Sequence, residues 1–213
     1  MELLNRILDA SVRIKPFVRK TYLNHSQFFS ELIGGDVWFK LENYQVTGSF
    51  KARGAVNKLL SLSKEEKKEG VISASTGNHG AAVAYAAKHL NIPCTIYVPQ
   101  NASSTKLKNM KNYGARINIH GQDCVDAEKK ARDESKKINR PYVSPYNDIH
   151  VIAGQGTIGV EVMSQCDNLD TIIISVGGGG LIGGIGAYLK SVFPQINIIG
   201  CSPKNSAVMI HSI

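Results

Sequence analysis

Lys51 lies in the run Gly48-Ser49-Phe50-Lys51-Ala52-Arg53-Gly54, between an aromatic residue and small residues, at what reads as the first turn of a helix. Burial and the positive end of the helix dipole both disfavour a protonated amine there. A neutral lysine amine is a nucleophile, and its natural target is an aldehyde. Two further segments could do chemistry. Gly177, Gly178, Gly179 and Gly180 precede Leu181 and follow an apolar run. Consecutive glycines at a strand-to-helix junction let backbone N–H groups curl around an anion, a phosphate above all. A purely structural turn is the alternative. Ser75-Thr76-Gly77-Asn78-His79 gathers two hydroxyls, an amide and an imidazole before an alanine-rich helix, and would cradle a carboxylate. Its alternative is an ordinary capping loop with Asn78 as cap.

The glycine run also matches the dinucleotide pattern at Gly178, Gly180 and Gly183. That reading needs an acid after the next strand for the ribose hydroxyls. No Asp or Glu follows Asp170, and no Arg either. A small cofactor held by one phosphate fits better, and a phosphate site paired with an aldehyde-trapping lysine points to pyridoxal phosphate.

These segments need a scaffold that brings them together. Residues 37–41, 71–74, 94–98, 115–120, 142–143, 171–176 and 197–201 read as strands. Residues 47–60, 80–90, 104–112, 124–137, 156–165 and 181–191 read as helices, the first capped by Thr47 or Ser49. Strands alternating with helices predict an α/β protein with mostly parallel sheets and right-handed crossovers. In such sheets ligands bind beyond the carboxyl ends of the strands, where all three segments lie. Residues 145–148 read as a boundary between two sheets.

Composition narrows the function. The 213 residues carry a formal net charge of +8, but the lysines fall on stretches with interspersed glutamates and no aromatic platform. That pattern reads as solvated helix surface, not a nucleic-acid footprint. No stretch of about 18 apolar residues is present to span a membrane, and the first residues lack a leader pattern. Four separated cysteines with no Cys-x-x-Cys suggest a reduced, cytoplasmic setting and no metal site. His25, His89, His120, His150 and His211 are scattered without metal spacing. Ser61-x-x-Lys64 and Ser103-x-x-Lys106 lack the companion motifs of a serine acyl-enzyme.

Taken in order, Lys40-Leu41-Glu42, Thr47 through Ala55, Ser75 through Gly80, Ala153-Gly154-Gln155-Gly156-Thr157-Ile158 and Val176 through Leu181 resemble the fold-type II pyridoxal-phosphate enzymes, in their threonine/serine dehydratase and serine racemase branch. The resemblance implies two three-layer α/β/α domains. The larger, cofactor-binding domain would comprise 1–52 and 147–213, and the smaller 53–146. It also implies roles. Lys51 would bond the cofactor aldehyde and then shuttle the substrate α-proton. Phe50 would pack against the cofactor ring and Asn78 would bond its phenolic oxygen. Gly177, Gly178, Gly179, Gly180 and the N–H of Leu181 would hold the phosphate. Ser75, Thr76, Asn78 and His79 would face the substrate, the carboxylate above all. Thr76 stands where racemases of this branch carry a serine that acts as acid/base on the opposite face. The run Ser144-Pro145-Tyr146-Asn147 resembles the His-Pro-Phe-Asp of dehydratases. Elimination on a small hydroxy amino acid is the expectation, with racemisation and a catalytically inactive binding protein as alternatives, and a homodimer as the assembly. Family members run about half as long again as this chain, which implies a fragment, a natural truncation or completion by a second chain. The remainder would carry the partner of the pyridine nitrogen.

Overall fold

The computed structural model describes residues 1–206 and residue 209; the end of the expected larger domain and His211 lie outside the described residues. Helix α1 (Glu2–Arg13), which the sequence pattern did not mark, opens the chain and buries Ile7 and Ala10. Strand β1 (Leu23–His25), helix α2 (Gln27–Ile33) and strand β2 (Trp38–Lys40) follow, and β1 and β2 pair antiparallel with Leu23 opposite Lys40.

Helix α3 (Lys51–Leu60) begins four residues later than the 47–60 pattern predicts. Gly48 explains the delay. It sits at φ 74°, outside the helical region, and its N–H donates to the Gln45 carbonyl at 2.7 Å to close a turn. Phe50 occupies the cap, and Ser49 Oγ accepts only a long bond from the Lys51 N–H at 3.4 Å. Lys51 is therefore the first helical residue, where the positive end of the dipole acts on its own backbone.

Helix α4 (Lys64–Glu69) carries a Ser63/Glu66 capping box. It leads to β3 (Val71–Ala74), α5 (Asn78–His89), β4 (Cys94–Val98), α6 (Ser104–Asn112), β5 (Arg116–Ile119) and α7 (Cys124–Lys137). Strands β3, β4 and β5 form a parallel sheet in that order. The expected strand at 142–143 is a single parallel bridge from Tyr142 to Ile72 on the outer edge of β3. Strand β3 is buried at every position, as a run with cover on both faces should be.

Helix α8 (Ile149–Met163) starts seven residues before the predicted 156. Asp148 caps it, accepting from the N–H groups of His150 and Val151 at 2.8 and 3.1 Å. Its glycines lowered the helical signal in the sequence, yet they serve packing. A Cβ on Gly154 would lie 2.6 Å from the Arg53 carbonyl, so α3 and α8 cross backbone to backbone. The parallel pair β6 (Thr171–Ser175) and β7 (Asn197–Cys201) is joined by α9 (Gly180–Val192). The architecture is α/β with parallel sheets, as the alternation predicts. No described helix is long and apolar enough to cross a membrane.

An apolar groove of about 790 Å³ separates β2 from β6. Consecutive residues of both strands line it, from Val37 to Lys40 and from Thr171 to Ser175, so it runs along strand edges rather than across a face. Ile158, Val162 and Ile185 are among its other lining residues. Trp38, 45 % exposed, lies here.

Candidate active site

The segment from Val143 to Asp148 threads through every element that the sequence marked for chemistry. The Val143 carbonyl accepts from Ser73 Oγ at 2.9 Å and from His79 Nε2 at 3.0 Å, tying the start of the segment to β3 and α5. The Pro145 carbonyl accepts from Lys51 Nζ at 2.7 Å. Tyr146 lies on the glycine loop: a Cβ on Gly178 would overlap its ring, and one on Gly180 would sit 3.0 Å from its Cα. Asp148 caps α8 and holds Lys58 at 2.8 Å. The sequence marked 145–148 as a boundary; in space it joins the three loaded segments.

Lys51 is half-buried, with its Nζ 5.2 Å from the centre of the Phe50 ring. Burial pushes its amine down to about 8. A lysine so placed carries a usable fraction of neutral amine near neutral pH, the condition for attack on an aldehyde. The same burial costs stability. The folded amine gives up its proton at about 8, whereas the ordinary value is 10.5, so below about 8 the fold carries the full penalty and above 10.5 it carries none. Lys51→Met should therefore stabilise the cofactor-free protein at pH 7 by about 1–3 kcal/mol, and the gain should shrink as the pH rises towards 10. Urea unfolding at the two pH values measures this; an equal gain at both would show that the amine is not perturbed.

Phe50 is half-buried and lines the groove beside β2 and β6. Gly179 caps α9 in the left-handed region at φ 82°, which turns the loop so that the first N–H groups of α9 stand free of helical partners. A Cβ on Gly177 would meet no atom within 4 Å, so this loop has open space on one side and Tyr146 on another. Leu181 lies in the first turn of α9. Free N–H groups at a helix N-terminus suit a phosphate, and the near-neutral amine of Lys51 suits an aldehyde; the residues present fit pyridoxal phosphate.

Helix α5 begins at Asn78, with Gly77 rather than Asn78 at the cap. Asn78 is exposed, and Ser75 and Thr76 are half-buried. Ser75 Oγ accepts from the Gly77 N–H at 3.1 Å. His79 is placed differently from its expected part in the carboxylate cradle. It is 3 % exposed and turned inward onto Val143. Burial above all, and Lys51 as well, hold its ring down to about 4 against the raising effect of the Val143 bond. The ring is neutral at pH 7 with its proton on Nε2, and Nδ1 has no partner. It braces the loop from below, while the Ser75 and Thr76 hydroxyls and the N–H groups of α5 remain for an anion.

Beneath Lys51 is a charge cluster to which the sequence reading gave no role. Arg53, 1 % exposed, grips Glu42 with Nε and Nη2 at 2.8 and 2.7 Å, and Glu161 with Nη1 and Nη2 at 2.7 and 3.0 Å. Lys40 Nζ adds a bond to Glu161 at 2.6 Å. Burial alone would raise the Glu161 carboxyl, but Arg53 and Lys40 outweigh it and hold the group below its ordinary value. Two cations and two carboxylates thus balance under the first turn of α3. The sequence signal was present in part: Glu161 is a lone charge inside an otherwise small and apolar helical run, a pattern that calls for a buried partner.

The chain is similar to known proteins. Residues 14–213 match the family described as pyridoxal-phosphate dependent enzyme. The chain is 42 % identical over 210 residues to L-threonine ammonia-lyase of Thermotoga maritima, covering 99 % of this chain and 52 % of that protein. It is 44 % identical to a catabolic L-threonine dehydratase of Staphylococcus aureus, covering 98 % and 61 %. Among solved structures it superposes on the processed form of threonine deaminase isoform 2 from Solanum lycopersicum with a TM-score of 0.95 at 34 % identity, covering 99 % of this chain and 62 % of that one. Serine racemase from Dictyostelium discoideum gives a TM-score of 0.90 at 39 % identity, covering 95 % and 66 %. The chain spans between 52 % and 61 % of the length of these two curated relatives.

Proposed function

The chain belongs to the pyridoxal-phosphate dependent enzyme family, and from that premise we propose that its reaction is α,β-elimination on a small β-hydroxy amino acid, L-threonine or L-serine, giving a 2-oxo acid and ammonia. The observation that carries this reading is Lys51: a half-buried amine held on the Pro145 carbonyl, with its proton affinity brought down to about 8, in a chain 42 % identical to an L-threonine ammonia-lyase. When bound, pyridoxal phosphate supplies an electron sink for the substrate α-carbon.

The chain's own residues supply the rest. Gly177, Gly178, Gly179 and Gly180, with the N–H of Leu181, would hold the phosphate. Asn78 would bond the phenolic oxygen, and Phe50 would flank the ring. Ser75, Thr76 and the N–H groups at the start of α5 would take the substrate carboxylate. Lys51 Nζ would hold the α-proton as it leaves, a task for which a base titrating near 8 is well matched. The Pro145 carbonyl fixes where that nitrogen starts.

Racemisation is the second reading, supported by the likeness to Dictyostelium serine racemase and by the Thr76 hydroxyl. A branched threonine is stiffer at χ1 than serine, which favours elimination. A dimer and a cytoplasmic location belong to the same proposal. Exposed Phe28, Leu32, Ile33 and Trp38 support the first, and four free cysteines the second. Incubation with pyridoxal phosphate and L-threonine or L-serine should release 2-oxo acid and ammonia in equal amounts. Conversion to the D-enantiomer without 2-oxo acid would replace the elimination reading by the racemase one. Cofactor binding with neither product would leave a binding protein.

A further inference from the structure

The geometry points to Tyr146 as a positioning residue that clamps the glycine loop and fixes its distance from Lys51. This rests on the reading of that loop as the phosphate grip, and goes beyond it by assigning the rigidity of the grip to a residue outside the loop. Four consecutive glycines have more backbone freedom than any other stretch of this chain, and an anion site built from them must be frozen to bind well. Within the loop, Gly179 supplies the left-handed turn, but glycine offers no side chain to pack. Tyr146 provides the missing surface. Its ring occupies the space that a side chain on Gly178 would fill, and its backbone does the same at Gly180, where a Cβ would lie 3.0 Å from both its Cα and its carbonyl oxygen.

The position of Tyr146 is itself fixed on both sides. The preceding carbonyl, that of Pro145, takes the Lys51 amine at 2.7 Å. The following Asn147 N–H donates to Ser144 Oγ at 3.0 Å, and Asp148 is locked by the α8 N-terminus and Lys58. One dipeptide, Pro145-Tyr146, therefore touches both ends of the proposed cofactor site. The contact with the loop is made by ring and backbone atoms, so the ring and not the hydroxyl should matter.

The test compares wild type, Tyr146→Phe and Tyr146→Ala in two measurements. Titration with pyridoxal phosphate and with pyridoxal, which lacks the phosphate, should show Tyr146→Ala weakening the phosphorylated ligand by about tenfold and leaving pyridoxal nearly unchanged, whereas Tyr146→Phe stays close to wild type for both. Equal weakening of both ligands, or an unchanged ratio, would overturn the assignment. Hydrogen exchange of the cofactor-free protein supplies the second readout: amides of residues 177–182 should exchange faster in Tyr146→Ala, with the protection of β3 and β4 retained. Unchanged exchange at 177–182 would overturn the clamp even if no variant bound the cofactor. Absence of cofactor binding in wild type would count against the proposed function alone.

Discussion

Replacing Arg53 with methionine should cost about 3–5 kcal/mol of stability, enough to unfold much of a marginally stable domain. Methionine keeps an apolar stem in place of the arginine's but ends short of the guanidinium, so the main loss is of charge and hydrogen bonds rather than of stem packing. It comes from Glu42 and Glu161, left facing each other with only Lys40 against them. Arg53→Lys should recover only part, since an ammonium cannot reproduce the paired bonds to both carboxylates. Urea unfolding at pH 7 measures both variants, and a loss below about 1 kcal/mol for Arg53→Met would contradict the account. Acid should mimic the mutation. The folded Glu161 carboxyl sits below its ordinary 4.5, so its contribution is complete above that value and is lost as the pH falls through the lower, folded one.

The second large effect is on chemistry. If the proposed elimination holds, Lys51→Ala should lower turnover by about 10³-fold or more, because the amine that would carry the α-proton is gone. Lys51→Arg should do no better, since a guanidinium yields no neutral nitrogen at working pH. The loss in Lys51→Ala should not trace to unfolding: at pH 7 removing a desolvated, charged amine relieves a penalty, so this variant should remain folded. Turnover within tenfold of wild type in Lys51→Ala would remove the lysine from the mechanism.

How much of this was legible in the sequence depends on how local each signal is. Strand β4, helix α6 and helix α7 match their expected ranges of 94–98, 104–112 and 124–137, because apolar periodicity and turn residues bound them locally. Helix α8 starts before the predicted 156 because Gly154 weakens the helical signal of the residues ahead of it, whereas its true meaning, close approach to α3, is a tertiary fact. Helix α3 was read early because nothing in the order of residues shows that Gly48 turns left-handed.

The site divides in the same way. Lys51 and the glycine loop announce themselves by residue type. Their junction does not: Pro145 acts through a backbone carbonyl, which every residue possesses, and Tyr146 acts through a contact with glycines 32 or more positions away along the chain. His79 shows the converse. Its type suggested a ligand-facing donor, but burial of the α5 face on which it lies turned it towards Val143.

The central claim is that Lys51 is the nitrogen that bonds the cofactor aldehyde. The direct measurement is borohydride reduction of the protein after incubation with pyridoxal phosphate, followed by peptide mass mapping. The account predicts one dominant adduct, on the peptide containing Lys51, formed faster as the pH rises through about 8. An adduct spread over surface lysines such as Lys64 and Lys106, with Lys51 unmodified, would contradict it.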